Sequence, residues 1–244
     1  MRFESELNTL IRQIVDYGEQ MGLPYIAASS DVSDPSPMMD ETGRPLAETV
    51  FKWFDPEFEY WNDRTFALRS GFVQAARICA EPFYFDGHTL TSWRTNNALD
   101  LFNKHADYNA YGVKNAIICP CHLPFGVLGT VVWATNKSLD NIEQIFEQKA
   151  GELAMVTLRF LSVAREHDIS PRPPEVTGLT RREIQCLKWA ALGKTDNEIA
   201  TIMRLSIPTI RFHLVNAGKK FGVYGRAQAV RVATSLGFIG GNRS

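Results

Sequence analysis

Arg211 carries the most sharply placed chemistry in this chain of 244 residues. A guanidinium presents paired N–H donors in one plane, and these match the two acceptors on the major-groove edge of guanine. Around it, Ile210, Leu214, Ala217 and Phe221 fall on one narrow stripe at helical spacing. Pro208, Arg211, Phe212, Val215 and Lys219 fall on the opposite side. Thr209 at the start of this helix, together with Lys194, Thr195, Lys219, Lys220 and Arg226, supplies donors of the kind that grip phosphate oxygens and set register. A buried stripe backing a basic outer face is the arrangement with which a helix enters the major groove of double-stranded DNA. For any one of the lysines, a solvated surface position is the plainer alternative.

The elements that must hold Arg211 in place are legible on either side of it. Thr180-Arg181-Arg182-Glu183 reads as a capping box opening a helix with Ile184, Leu187 and Ala191 on one stripe, and Gly193 suits its left-handed end. Thr195-Asp196-Asn197-Glu198 is a second capping box, opening a helix through Ile199, Ala200 and Met203. Arg204-Leu205 makes the turn and Ser206 caps the helix of Arg211. Pro208 is tolerated there because first-turn N–H groups have no intrahelical partner to lose. A fourth helix covers 226–237, with Ala229, Val230 and Ala233 on one side. Charge agrees with a nucleic-acid role. Residues 178–244 hold 11 Lys/Arg against 3 Asp/Glu, a balance of +8, whereas residues 1–177 hold 15 against 24, a balance of −9. The net charge of −1 conceals a basic module joined to an acidic one.

Other reactive groups are sparse. Cys119-Pro120-Cys121 is one residue short of a structural-zinc loop and has no second pair, so packing is the simpler role, with redox sensing as the alternative. Cys79 and Cys186 fall in helical patterns as small buried side chains. His88, His105 and His122 are scattered, and neither a phosphate-binding glycine loop nor a nucleophile elbow is present, so catalysis and metal binding are not expected. A phosphate-receiver domain is also excluded: the chain opens with a helix, and Asp55 precedes Pro56 in a turn. Hydrophobic content of 45% and charged content of 22% are those of an ordinary globular protein. No apolar run approaches the ~18–20 residues of a membrane span, and Met1-Arg2-Phe3-Glu4 leads into no signal-peptide core. Cytoplasmic residence is the expectation.

Three segments follow from the pattern: a regulatory and dimerisation domain at 1–168, a Pro-rich linker at 169–177, and the four-helix DNA-binding domain at 178–244. In the first, residues 5–21 form an amphipathic helix and Leu23–Ala28 a strand. Residues 31–44 are loop, and Ala47–Phe54 alternates as a second strand. Phe58–Ala80 is helical and rich in aromatics, including Trp61 and Phe66; Leu99–Tyr111 is another helix. Asn115–Cys121 and Gly126–Thr135 read as a hairpin, and Asp140–Glu166 as a long helix. The fold class is therefore an α/β sensor-like domain, an antiparallel sheet with helices on both faces, followed by an all-α helix-turn-helix domain. Such a layer can enclose a small apolar ligand, although an ordinary core explains the aromatics equally well. The apolar seam of the long helix, Ile142, Phe146, Leu153, Val156 and Phe160, exceeds what one sheet face obviously needs and is the expected dimer contact.

The run Leu179-Thr180, Arg182-Glu183-Ile184, Leu187, Trp189, Gly193-Lys194-Thr195, Glu198-Ile199-Ala200, Ser206, Thr209, Phe212-His213, Asn216-Ala217, Lys220 and Arg226 closely resembles the LuxR-type helix-turn-helix. Ile210, Phe221 and Gly225 depart from the residues usual in that family without disturbing its architecture. The resemblance implies a transcriptional regulator that binds double-stranded DNA, and it implies that Val215 also faces bases. The N-terminal segment resembles the family's autoinducer-binding domain through Gly112, Pro120, Gly126 and Gly129 in the hairpin and Pro82 ahead of aromatics.

That second resemblance breaks where an acyl-homoserine lactone would be held. The family's Asp-Pro, fifteen residues ahead of the aromatic of its Pro-x-x-Trp turn, is replaced by Ser70-Gly71, counted back from Phe85. Phe85 stands for the Trp and Val132 for a strand hydroxyl, while Trp61 stands for either member of a Trp-x-x-x-Tyr pair. Trp61, Phe66, Ser70, Phe85 and Val132 are thus the pocket candidates. The missing carboxylate implies a regulator with another ligand or none. A true lactone receptor, and a modulator that pairs with a related regulator, stay open beside the homodimer.

Overall fold

The computed structural model describes residues 2–34, 36–54, 65–105, 112–166 and 178–240, with side chains from residue 6 onward and that of residue 105 left out. The chain divides into an N-terminal and a C-terminal unit. The expected linker at 169–177 lies outside the described residues.

In the N-terminal unit a five-stranded antiparallel sheet has the order β1-β5-β4-β2-β3. The strands are β1 (Tyr25–Ser29), β2 (Phe83–Phe85), β3 (Leu90–Thr91), β4 (Asn115–Leu123) and β5 (Val127–Thr135). The expected hairpin is β4–β5, paired from Asn115↔Thr135 to Leu123↔Val127. Both strands are buried along nearly their whole length, because helices cover both faces and each residue meets one core or the other. Successive side chains alternate. Ile117, Cys119, Cys121, Val131 and Trp133 enter the core under α1 (Arg2–Met21) and α6 (Ile142–Ala164). Ala116, Ile118, Val132 and Ala134 enter the opposite core, under α4 (Gly71–Ile78) and α5 (Asn97–His105). Both thiols of Cys119-Pro120-Cys121 accordingly point one way, buried, as packing residues. Burial pushes each thiol above its ordinary value. Pro120 lacks an N–H, and it falls where β2, which pairs only as far as Ile118, no longer runs beside β4.

Two expectations of the sequence reading change here. Ala47–Phe54 is not a strand. Pro45 at φ −55° leads into the single-turn α2 (Leu46–Thr49), and the N–H groups of Val50 and Phe51 both turn back to the Leu46 carbonyl. Among the described residues one backbone bond, from the Ile26 N–H to the Lys52 carbonyl, joins this segment to the edge of β1, and Phe51 drops between layers onto Phe160. The second correction concerns the expected dimer seam. Ile142, Phe146, Leu153, Val156 and Phe160 are at most 5% exposed and lie in the core of their own chain. α6 packs against both the sheet and α1, so its apolar stripe has two internal surfaces to fill. Close approach is set at Gly129, where a Cβ would lie 2.6 Å from a Leu161 methyl and 3.0 Å from the Ser29 carbonyl oxygen. The Trp133 indole N–H, donating to the Ile14 carbonyl at 2.9 Å, ties α1 to the sheet.

The helical region expected over 58–80 is α3 (Phe66–Arg69) and α4, broken at Ser70, whose ψ of 118° is extended. Residues 55–64, Trp61 among them, lie outside the described residues. β3 was not anticipated, because two residues carry no readable alternation.

The C-terminal unit contains α7 (Arg181–Ala191), α8 (Asp196–Met203), α9 (Ile207–Lys220) and α10 (Arg226–Ser235). Both capping boxes form with reciprocal bonds. Gly193 follows α7 at φ +76°, and Arg204 turns α8 into α9 at φ +54°. The core gathers Cys186 and Leu187 of α7, Ile199 of α8, Ile210, Leu214 and Ala217 of α9, and Phe221 just past its end. On α7 the buried side runs through Glu183, Cys186, Leu187 and Ala190, with Ala191 exposed, one step round from the stripe expected.

Candidate nucleic-acid interface and ligand pocket

The outer face of α9 is built from residues that its core stripe leaves over. Pro208, Arg211, Phe212, Val215 and Lys219 are all exposed, with Phe212 at 61% and Val215 at 55%. Apolar side chains this open on a helix flanked by cations are suited to thymine methyl groups and base edges. Arg211 is 70% exposed and donates its Nε–H to Asp196 Oδ2 at 3.1 Å. That bond uses one of the five guanidinium donors and leaves the rest available.

The other cations expected at this surface divide. Lys219 is exposed and has no ion-pair partner among the described residues. Lys194 reaches only a loose pair with Glu198 at 3.5 Å, both partly exposed. Thr195 and Thr209 sit where α8 and α9 begin. Thr195 accepts the Glu198 N–H, and the Thr209 hydroxyl shares a 2.7 Å hydrogen bond with that of Ser206.

Lys220 turns inward instead. Its ammonium donates to Glu183 Oε2 at 2.8 Å and to the Gly178 carbonyl at 3.3 Å. Burial opposes charge on Glu183, which is only 3% exposed. The Lys220 ammonium and the N–H and hydroxyl of Thr180 nonetheless hold its carboxyl below the usual carboxylate range. Arg226 donates to Asp196 Oδ1 at 2.9 Å and to the Lys194 carbonyl. Asp196 therefore joins Arg211 on α9 to Arg226 on α10, a role its place in a helix-opening acidic pair concealed. Tyr224, 89% exposed, was also passed over, since a lone turn residue shows no period.

In the N-terminal unit a cavity of about 430 Å³ lies between the sheet and α3–α4, within the size range of small-molecule sites. Phe66, Ser70 and Val132 line it. Phe85 does not. It is packed in the core behind Phe72, ring centroids 5.5 Å apart. The walls are mainly apolar, with Ser70, Arg77 and Asp34 among a minority of polar residues that also includes Ser29, Ser33, Ser36 and Thr130. The Ser70 hydroxyl is buried and has no hydrogen-bond partner among the described residues. Arg77, two turns along α4 from Ser70, gave no signal in the sequence, because a lysine or arginine in an amphipathic helix is ordinarily solvated. No group of His, Cys, Asp and Glu among the described residues is placed to hold a metal ion.

Residues 177–233 match the family of bacterial regulatory proteins known as the luxR family, so the C-terminal unit belongs to it as a LuxR-type helix-turn-helix domain. Among curated relatives, the transcriptional activator protein VanR of Vibrio anguillarum is 36% identical over 149 residues, 60% of each chain. The transcriptional activator protein AhyR of Aeromonas hydrophila is 29% identical over 174 residues, covering 68% of this chain and 64% of the relative. Each of these matches thus spans less than two thirds of the relative's length. A crystal structure of Escherichia coli SdiA aligns over 95% of this chain and 91% of its own at 20% identity, with a TM-score of 0.48. No helix among the described residues is long and apolar enough to cross a membrane.

Proposed function

We propose that the protein is a dimeric, sequence-specific transcriptional regulator. Its C-terminal unit reads the DNA major groove through Arg211, Phe212 and Val215, with Lys194, Thr195, Thr209 and Lys219 holding phosphates. The observation that carries this reading is the outer face of α9, cationic and apolar at once, exposed while the opposite stripe fills the core. The relatives that share the domain are transcriptional activators. One such module spans only a few base pairs, and a two-fold dimer is the common means of reading a longer palindrome. Pairing with a related regulator, in place of a second copy, is the alternative assembly.

The N-terminal unit is proposed to respond to a small apolar molecule other than an acyl-homoserine lactone. An amide buried without its carboxylate loses a charge-assisted bond worth about 1.5–3 kcal/mol, and Ser70 offers only a neutral substitute.

The test is a salt titration of binding to a generic duplex. Each neutralised phosphate contributes roughly −0.9 to the slope of log K against log salt, so a dimer with two or three contacts per module gives a slope of roughly −4 or steeper. A slope near zero would contradict DNA binding through this face.

A further inference from the structure

The polar groups of the N-terminal cavity are arranged in a way that selects among ligands. Ser70 occupies the N-cap of α4, where a serine hydroxyl ordinarily accepts an N–H of the first turn. Here it makes no such bond: Ser70 is one of the residues lining the cavity, and its buried Oγ has no hydrogen-bond partner among the described residues. A buried hydroxyl left this way costs free energy that a ligand oxygen reaching it would return. Seven residues on, the same face of the helix brings Arg77 to the wall, about two turns or 10 Å along the axis. Val73, between them, is apolar. Arg77 is half-buried and has no ion-pair or hydrogen-bond partner among the described residues. Asp34, also on the wall, is exposed, and its carboxylate is taken up by the Ser36 N–H at 2.9 Å. The guanidinium is thus a half-desolvated cation with no carboxylate of its own among the described residues, on a mainly apolar lining that also includes, about two helical turns away, a residue with an unfilled hydroxyl.

We propose that this cavity takes an acidic amphiphile: an apolar chain whose carboxylate pairs with Arg77 and whose neutral oxygen, about two helical turns away, accepts from Ser70. The proposal rests on the reading of the N-terminal unit as a ligand-binding domain, and it names the ligand class for that unit.

The experiment uses the full-length protein and four probes: a ten-carbon fatty acid, the same acid with a ketone near its far end, the methyl ester of the keto acid, and an acyl-homoserine lactone of equal length. Affinity is read by calorimetry and by the rise in melting temperature that any native-state ligand must produce above its Kd. The keto acid should bind best, and its ester about tenfold more weakly, the cost of one charge-assisted bond. Arg77→Gln should erase the difference between acid and ester. Ser70→Ala should weaken the keto acid several-fold and leave the plain acid unchanged. Unliganded melting temperatures of the two variants establish that each is folded. Equal affinity of acid and ester for the unmutated protein, or an acid preference that survives Arg77→Gln, overturns the proposal. If the ester or lactone binds and the acids do not, the ligand-binding reading stands and the acidic class falls. If none of the four shifts the melting temperature, the ligand-binding reading falls as well.

Discussion

The Asp196 carboxylate accepts one hydrogen bond from Arg211 and another from Arg226, so a single charge orients two guanidiniums at the edge of α9. Orientation is what a base-reading arginine needs, because bidentate contact fails when the fork is rotated. Asp196→Ala should therefore raise affinity for generic DNA, by removing a negative charge, while lowering the ratio of specific to generic binding about tenfold. An unchanged ratio would show that Asp196 does not position Arg211. The Glu183–Lys220 pair works differently. With the Glu183 carboxyl held below its usual range, its contribution to stability is complete above the ordinary value of about 4.3 and disappears as pH falls through the folded value. The melting temperature of the C-terminal unit should fall as the pH drops below about 5, and Glu183→Gln should flatten that dependence. Lys220→Ala should cost roughly 3 kcal/mol, near the lower limit for breaking a buried pair because the lysine side chain is 31% exposed, with a smaller effect on DNA affinity than Lys219→Ala. A Lys220→Ala variant with unchanged melting would refute the inward role.

At the scale of elements, the helices with their own end signals were legible and the segments whose fate depends on distant partners were not. Thr180, Thr195 and Ser206 announce α7, α8 and α9 because capping is local chemistry. Ala47–Phe54 misled because its apolar side chains are divided between two cores, Phe51 entering the one under α6 and Trp53 and Phe54 packing against the other, without a strand to carry them. The α6 stripe misled for a related reason: nothing within residues 142–164 reveals that α1 returns to cover it. What α6 leaves outside is Met155, 57% exposed, and Leu158, 44% exposed, one turn apart. If the N-terminal unit carries the dimer contact on α6, these two side chains are its centre. Paired replacement by Glu should then turn the full-length protein from dimer to monomer in sedimentation at micromolar concentration. A variant that sediments as a dimer would place the contact elsewhere.

The whole molecule joins a basic unit, charged +8 from residue 178 onward, to an acidic one, charged −9. That asymmetry is a sum over residues and needs no coordinates, which is why the DNA-binding half was recognisable from composition and spacing together. The candidate site was legible to the same depth. The helical period puts Arg211, Val215 and Lys219 on one side of α9, where all three are exposed, whereas Lys220 and Arg226, cations like Arg211 and Lys219 in sequence, are paired with Glu183 and Asp196 only in three dimensions. In the other half, Ser70 stood out by replacing a carboxylate, but its unpartnered state and its alignment with Arg77 depend on the break between α3 and α4. The central claim is that Arg211 reads a base from the outer face of α9. The most direct measurement is selection from a randomised duplex library by the full-length protein and by its Arg211→Ala variant. Loss of preference confined to one base position in each half-site, worth about 1–3 kcal/mol with generic affinity little changed, is the result predicted. An unaltered sequence preference, or a uniform loss of affinity across the library, would contradict it.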